Sequence, residues 1–304
     1  MTPVFFIALP VFAIIAAGMA AGRFALLSAT DAQVLNKFVF QFAMPAALFG
    51  LTATTPPPGL ADAGFAGAYA VTAGIVLAVA YSLSKALFNL SGPEAGAHAF
   101  ASVFGNAVFL GLPIALSVDG WARPFVILML VEGTVVIALG AALMAPGGGK
   151  ISEQLLRPLR NPLVVAAALG MGVSAIGATL PGPILAFFEI LGRAAGPTAL
   201  FSLGLFLATH QFPSMASVIG KIGLIAIGKL VAMPAIALLF AGIFGVSDPN
   251  ALGALALFTF VPTAVGAFIM ASQYGRYTSE IAAAVALTTI FSVGTISAVL
   301  MRFA

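Results

Sequence analysis

Two apolar segments of this chain are interrupted near their middles. The first is Phe100 to Ile114, FASVFGNAVFLGLPI, which contains two glycines, an asparagine and a proline. The second is Leu257 to Ala271, LFTFVPTAVGAFIMA, which is interrupted at Pro262 and Gly266. In hydrocarbon each unpaired backbone group costs several kcal/mol, so a broken helix persists there only where it is buried in protein or lines a polar cavity. We therefore predict that both segments are broken helices at membrane depth that face the protein interior.

The rest of the chain is typical of an integral membrane protein. Hydrophobic residues make up 62% of the 304 residues and charged residues 7%, which is too little polar surface to cover a soluble domain. One span needs roughly 20 apolar residues, so the chain has room for about ten. The predicted spans are residues 3–22, 34–54, 62–86, 96–117, 122–145, 161–180, 183–209, 217–245, 250–272 and 277–302. The predicted fold class is an all-α integral membrane protein with ten transmembrane helices.

The lysines and arginines predict the orientation of these spans. If the N-terminus faces outward, the inner loops and inner helix ends hold eight basic residues and the outer ends hold two. The inner residues are Arg23, Lys37, Lys85, Lys150, Arg157, Arg160, Lys221 and Arg276, and the outer ones are Arg123 and Arg302. We therefore predict a multi-pass protein of the cell inner (plasma) membrane with both termini outside the cytoplasm.

The two halves of the chain repeat each other at one fixed offset. Pro10 and Gly18 of the first span reappear 152 residues later as Pro162 and Gly170 of the sixth. The second span's PAALF, beginning at Pro45, reappears as PTALF in the seventh at the same offset. The alternative is chance similarity between apolar helices.

Because five spans per half is an odd number, the second copy must enter the membrane from the opposite face. The predicted organisation is a five-helix repeat over residues 1–145, a cytoplasmic linker over 146–160 and a second, inverted repeat over 161–304. Inverted repeats with broken helices meeting near the midplane are typical of secondary transporters.

Several segments resemble patterns of one family. They are LNKFVFQFAMP (Leu35 to Pro45), GNAVFLGLP (Gly105 to Pro113), RNP (Arg160 to Pro162), ALFSLGLF (Ala199 to Phe206), and Pro262 followed by Phe268, Ala271 and Tyr274. With these segments the chain resembles the auxin efflux carrier family, which includes plant PIN carriers and bacterial organic-anion permeases. The resemblance covers nearly the whole chain, and ALFSLGLF is its most specific part.

This resemblance implies a scaffold domain and a transport domain that moves as an elevator, with broken helices four and nine crossing. The substrate carboxylate would be held at the crossing, where the family's asparagine matches Asn106. Plant members tend to have proline immediately before that asparagine, whereas this chain has Gly105. The resemblance also suggests a homodimer.

The residues themselves give an independent reason to expect an anion at the breaks. Half-helix N-termini present unpaired N–H groups and a positive dipole end, which favour a carboxylate. The Asn106 side-chain amide and the backbone at Pro262, Thr263 and Ala264 would form the cradle. Alternatively, Asn106 only ties its helix to a neighbouring one.

Two ionisable residues are predicted deep in the membrane, namely Glu132 in the fifth span and Lys229 in the eighth. Charges at that depth are costly, so they usually pair, relay protons or contact substrate. A structural ion pair between them and a role in ion coupling or substrate binding both remain open. Phe109 and Phe268 lie beside the breaks, where they would contact substrate or fill the core.

The sequence gives little support for a metal centre, for an intramembrane protease or for nucleic-acid binding. The chain has no cysteine, and its two histidines, His98 and His210, are predicted at loop edges, so we expect no metal centre and no cofactor. The spans contain no set of residues typical of an intramembrane protease. The small net charge of +3 gives no reason to expect nucleic acid as a partner.

The function that these features favour is a secondary carrier for a small organic anion such as malonate or malate. A proton gradient, a sodium gradient or the membrane potential alone could drive it. A carrier resembling the bile-acid and sodium symporters is the alternative, although the chain's aspartates are predicted in loops or at span ends. A channel is also open, because broken helices line pores too.

Overall fold

The computed structural model describes residues 2–56, 59, 62–145, 161–210, 215–275 and 277–304, and their regular structure is helical. The described helices are α1 (Thr2–Arg23), α2 (Ala29–Thr54), α3 (Ala63–Phe88), α4 (Gly92–Val103), α5 (107–117), α6 (Ala122–Met144), α7 (Pro162–Ala175), α8 (Gly182–Thr209), α9 (215–243), α10 (Pro249–Phe260), α11 (Val265–Tyr274) and α12 (Thr278–Phe303). The all-helical class predicted from the sequence is confirmed for this part of the chain.

Six helices among the described residues are long and apolar enough to cross a membrane. They are α2, α3, α6, α8, α9 and α12, while α1, α7 and α10 contain shorter apolar stretches. The protein is therefore a multi-pass membrane protein. The predicted linker 146–160 and the basic residue Arg276 lie outside the described residues, so the orientation stays a prediction.

The two predicted interruptions are present. α4 ends at Val103 and the chain becomes helical again at Ala107, where α5 begins. α10 ends at Phe260 and α11 begins at Val265. The glycine, asparagine and proline residues inside the apolar segments mark both breaks to within a few residues.

Wide helical turns precede three of the prolines. A π-helical segment ends two residues before Pro45 in α2, before Pro113 in α5 and before Pro234 in α9. Proline lacks an N–H and its ring clashes with the carbonyl four residues earlier, so a widened turn relieves the conflict without ending the helix. A fourth π segment, in α6, begins at Glu132.

α1 and α8 approach each other through glycine. The Cα of Gly18 faces the carbonyl of Phe201 and the amide nitrogen of Leu205, and Gly204 faces the carbonyl of Ile15 in return. A side chain at either glycine would collide with backbone. Small residues at such contacts let membrane helices pack closely, because lipid tails give helices no hydrophobic reason to associate.

Gly18→Ala is expected to lower the thermal stability of the purified protein. The added Cβ would meet the Phe201 carbonyl, and overpacking of this kind costs about 1–3 kcal/mol. Gly172→Ala in α7 is the matched control, because no atom of the described residues lies within 4 Å of its Cβ position. Unfolding monitored by size-exclusion chromatography after heating should separate the two variants, and equal midpoints would contradict this packing.

The prediction that both histidines lie at loop edges is wrong for His98. Its side chain is completely buried in α4, and neither ring nitrogen has a hydrogen-bond partner in the described part of the chain. The Tyr277 ring packs against it edge-on at a centroid distance of 5.6 Å. His210 does lie at an edge, as the residue that ends α8.

Candidate functional site

The two breaks pair with each other through their backbones. The Asn106 N–H donates to the Pro262 carbonyl at 2.8 Å, and the Ala264 N–H donates to the Phe104 carbonyl at 2.9 Å. These bonds form one antiparallel bridge between Gly105 and Thr263. Extended backbone at membrane depth is tolerated here because each break satisfies polar groups of the other.

Thr263 fastens this crossing to two neighbouring helices. Its N–H donates to the Thr288 hydroxyl of α12 at 3.1 Å, and its own hydroxyl donates to the Ala101 carbonyl of α4 at 3.0 Å. The N–H and the hydroxyl of Thr263 are thus both engaged within the protein. Thr263 and Pro262 build the crossing, but they are not among the described residues that line the cavity beside it.

That cavity has a volume of about 110 Å³ and lies between the crossing and three helices. Its lining consists of residues 104–108 and 264–266, of Met44, Ala47, Leu48 and Leu51 from α2, of Met129, Glu132, Gly133 and Ile137 from α6, and of Gly192, Ala195 and Ala199 from α8. The first turns of α5 and α11 therefore face one partly open, mostly apolar space.

Asn106 is the N-cap residue immediately before α5, and it is 3% exposed. The side-chain amide makes no capping hydrogen bond, and it has no other hydrogen-bond partner within the described residues. Buried amides are normally paired, because an unpaired polar group in a dry interior is costly. An unpaired amide that lines a cavity is suited to a polar ligand in that cavity.

Glu132 lines the same cavity from α6 and is 4% exposed. Its Oε1 atom accepts a hydrogen bond from the Gly105 N–H at 2.9 Å and another from the Tyr69 hydroxyl at 3.1 Å. Tyr69, on α3, is fully buried and was not singled out from the sequence. The sequence does place a tyrosine inside an apolar span at this position. Because a buried tyrosine hydroxyl usually has a hydrogen-bond partner, that position could have suggested a polar contact.

Lys229 lies close to the crossing at Gly105, although it does not share the cavity with Glu132. It is 1% exposed, and its Nζ donates to the Thr259 carbonyl at 2.9 Å, in the last turn of α10. The same Nζ would lie 3.1 Å from a Cβ atom at Gly105. Lys229 is not one of the described residues that line the cavity.

Within the described residues Glu132 and Lys229 form no direct salt bridge, so the structural ion pair considered from the sequence is not observed. Each side chain bonds to the backbone of the crossing region, and Gly105 lies between them. The lysine sits at the negative, C-terminal end of α10, and the glutamate sits beside the positive, N-terminal start of α5. Each charge is therefore stabilised by a helix dipole as well as by its opposite.

The two phenylalanines that were predicted beside the breaks give little evidence for a role in substrate binding. Phe268 of α11 is fully buried and packs edge-on against Phe206 of α8 at a centroid distance of 5.1 Å, and it is not among the described lining residues. The side chain of Phe109 lies outside the described part of the structure.

Comparison with known proteins gives consistent matches along the chain. The family model described as "Membrane transport protein" matches residues 3–155 and 150–300. A protein of Rhizobium meliloti (strain 1021) named "Putative malonate transporter" is 28% identical over 275 residues, covering 88% of this chain and 85% of that protein. "Uncharacterized transporter YfdV" of Escherichia coli (strain K12) is 26% identical over 294 residues, covering 93% of this chain and 92% of that protein. These matches agree with the resemblance that the sequence segments indicated.

Proposed function

Because the chain belongs to the membrane transport protein family and is a multi-pass membrane transporter, we propose that it is a secondary carrier for small organic carboxylates. The carrier works by alternating access, with the substrate carboxylate held in the cavity at the crossing of the two broken helices. No covalent chemistry and no cofactor are part of this proposal.

One observation carries the proposal, namely that the buried Asn106 lines the cavity and its side-chain amide has no hydrogen-bond partner among the described residues. An amide NH₂ donates two hydrogen bonds and can bind a carboxylate oxygen. The residues around it add further donors, since the first N–H groups of a helix have no partner within that helix. Val265 and Gly266 supply such groups from α11, so two positive helix ends meet at one anion-sized space.

The volume of the space at the crossing favours a small substrate. A protein cavity of roughly 150 Å³ can hold one benzene molecule, and the cavity here is about 110 Å³. This volume suits a short-chain acid and is small for an indole acid. The name of the Rhizobium relative, with its reference to malonate, points to the same class of substrate.

An inverted repeat would provide the two groups of helices that move relative to each other during transport. Residues 1–145 and 161–304 would be its halves, and two helix contacts at the 152-residue offset support this division. Gly18 packs on the backbone of Phe201 and Leu205, and the residues 152 positions away make the corresponding contact, with Gly170 packing on the backbone of Phe49 and Ala53. The pairs α1–α8 and α2–α7 would form the scaffold, and the helices around the crossing would move against it in the inner membrane.

The test is uptake of a panel of labelled carboxylates into proteoliposomes that contain the purified protein. We expect saturable uptake of a short-chain acid, and acceleration of that uptake by the same acid inside the vesicles. Such counterflow distinguishes a carrier from a channel. Imposed proton and sodium gradients, applied separately, distinguish proton coupling from the sodium coupling of a bile-acid-type symporter. If no acid of the panel gives saturable uptake, the proposal is wrong.

A further inference from the structure

The two carboxylate oxygens of Glu132 have different surroundings. Oε1 accepts both hydrogen bonds, from the Gly105 N–H and the Tyr69 hydroxyl. Within the described residues no donor reaches Oε2, and the side chain lines the cavity. A proton that binds this carboxylate would therefore go to Oε2, the oxygen whose lone pairs are not already engaged.

From this asymmetry we propose that Glu132 is the proton-binding site of the carrier, and that its proton lies on Oε2, shared with the substrate carboxylate. This inference rests on the carrier function proposed above and adds the coupling ion, with one proton bound for each anion. Tyr69 is a positioning residue in this scheme, because it acts through Glu132.

The charges around the crossing give the reason for a proton. With Glu132 ionised and Lys229 protonated, the empty site has no net charge. A substrate bound as a monoanion adds one negative charge to a buried space, and a buried charge that lacks a partner is costly. A proton on Glu132 restores neutrality, so the anion and the proton favour each other's binding.

The groups that face Glu132 are few. Within the described part of the chain, Tyr69 on α3 and Lys229 on α9 are the titratable side chains around it. The part of α7 that packs against this turn of α6 carries no titratable residue, and the lining residues of α2 are apolar. The glutamate is thus the acid at the cavity to which a proton can be assigned.

The binding step balances as follows. One carboxylate and one proton enter, the proton forms an O–H bond at Oε2, and that O–H donates to one oxygen of the substrate carboxylate. Lone pairs of the substrate carboxylate then accept from the Asn106 amide. No other covalent bond forms or breaks, and release of the anion returns the proton.

The proton count can be measured directly by calorimetry. Binding of the transported acid is titrated in two buffers of different ionisation enthalpy at one pH, using the full-length protein in detergent. We expect the wild type to take up about one proton per anion, beyond any change in the ionisation of the acid itself. The affinity for the anion should fall about tenfold for each unit by which the pH rises above the range in which Glu132 becomes ionised. Glu132→Gln, which can still accept from Gly105 and Tyr69, is expected to take up none.

Tyr69→Phe provides a second test that leaves the carboxylate in place. The lost hydroxyl donated to the ionised form of Glu132, so its removal makes protonation easier and should move the pH profile of uptake upward by about one pH unit. Tyr81→Phe on the same helix is the matched control and should leave the profile in place. A purely structural role of Tyr69 would lower stability without this directional shift.

The outcomes separate the two proposals. If the wild type binds a carboxylate without proton uptake, or if Glu132→Gln takes up the same number of protons, the proton site is wrong while the carrier function stands. An unmoved pH profile in folded Tyr69→Phe would contradict the positioning role. If no acid binds and none is transported, the carrier function fails, and the proton site fails with it.

Discussion

Asn106→Asp is expected to abolish saturable uptake by the protein that folds. The substitution keeps the shape of the side chain but removes its two donors and places a negative charge where the substrate carboxylate would lie. Loss of a hydrogen bond to a charged group costs about 1.5–3 kcal/mol, and repulsion at low dielectric adds to it, so affinity should fall by at least about 100-fold. The new carboxylate is buried and lines the same cavity as Glu132, so the midpoint of thermal unfolding should fall as well, and uptake is measured on protein that elutes as folded.

The matched control is Asn89→Asp. Asn89 ends α3 with a φ of 52°, it is exposed, and aspartate adopts this left-handed conformation nearly as readily as asparagine. We expect wild-type uptake from this variant. If Asn106→Asp transported with an unchanged KM, the crossing would have only a structural role and the anion would have to bind elsewhere.

Much of the fold could be predicted because the bilayer restricts what a chain can do. Apolar runs of sufficient length gave the helices, and glycine, asparagine and proline within two of them gave the breaks at Asn106 and Pro262. Polar residues at membrane depth are rare, so Asn106 and Glu132 could be singled out by position alone. Both line the cavity.

The direction in which each side chain points could not be predicted. Glu132 and Lys229 each lie within a π-helical segment, and the extra residue of a π turn shifts the phase of the helix that follows. A count of 3.6 residues per turn therefore fails to say which face these residues occupy. Hydrogen-bond partners on distant helices, such as Tyr69 for Glu132 and Thr288 for Thr263, likewise cannot be predicted from a local sequence pattern.

The burial of His98 has a related cause. His98 lies only one helical turn after the capping box of Ser91 and Glu94. Its position in the sequence is therefore near the start of a helix, which suggests a loop edge. In the fold, the second turn of α4, which carries His98, is covered by Tyr277 and by Phe88, whose ring centroids lie 5.6 Å and 6.2 Å from that of the imidazole. Nearness to a helix end does not imply exposure when other connections pack over that end.

Lys229→Met is expected to be the most destabilising single substitution at the crossing. It leaves the Thr259 carbonyl without its donor and Glu132 as a buried charge without a nearby positive partner. Removing one member of a buried charge pair costs about 3–5 kcal/mol. We expect a strongly lowered midpoint of thermal unfolding in detergent, and no carboxylate uptake by the protein that does fold, because nothing then offsets the charge of the bound anion.

The double variant Glu132→Gln with Lys229→Met tests whether the two charges balance each other across Gly105. If they do, removing both should restore much of the stability lost in Lys229→Met, with a coupling of about 1–3 kcal/mol between the two sites. Transport should stay absent, because a carboxylate would bring one uncompensated charge into a site that can no longer take a proton at Glu132. Strictly additive losses of stability would mean that each side chain serves only its own backbone contact. In that case the neutrality of the empty site would not explain why a proton accompanies the anion.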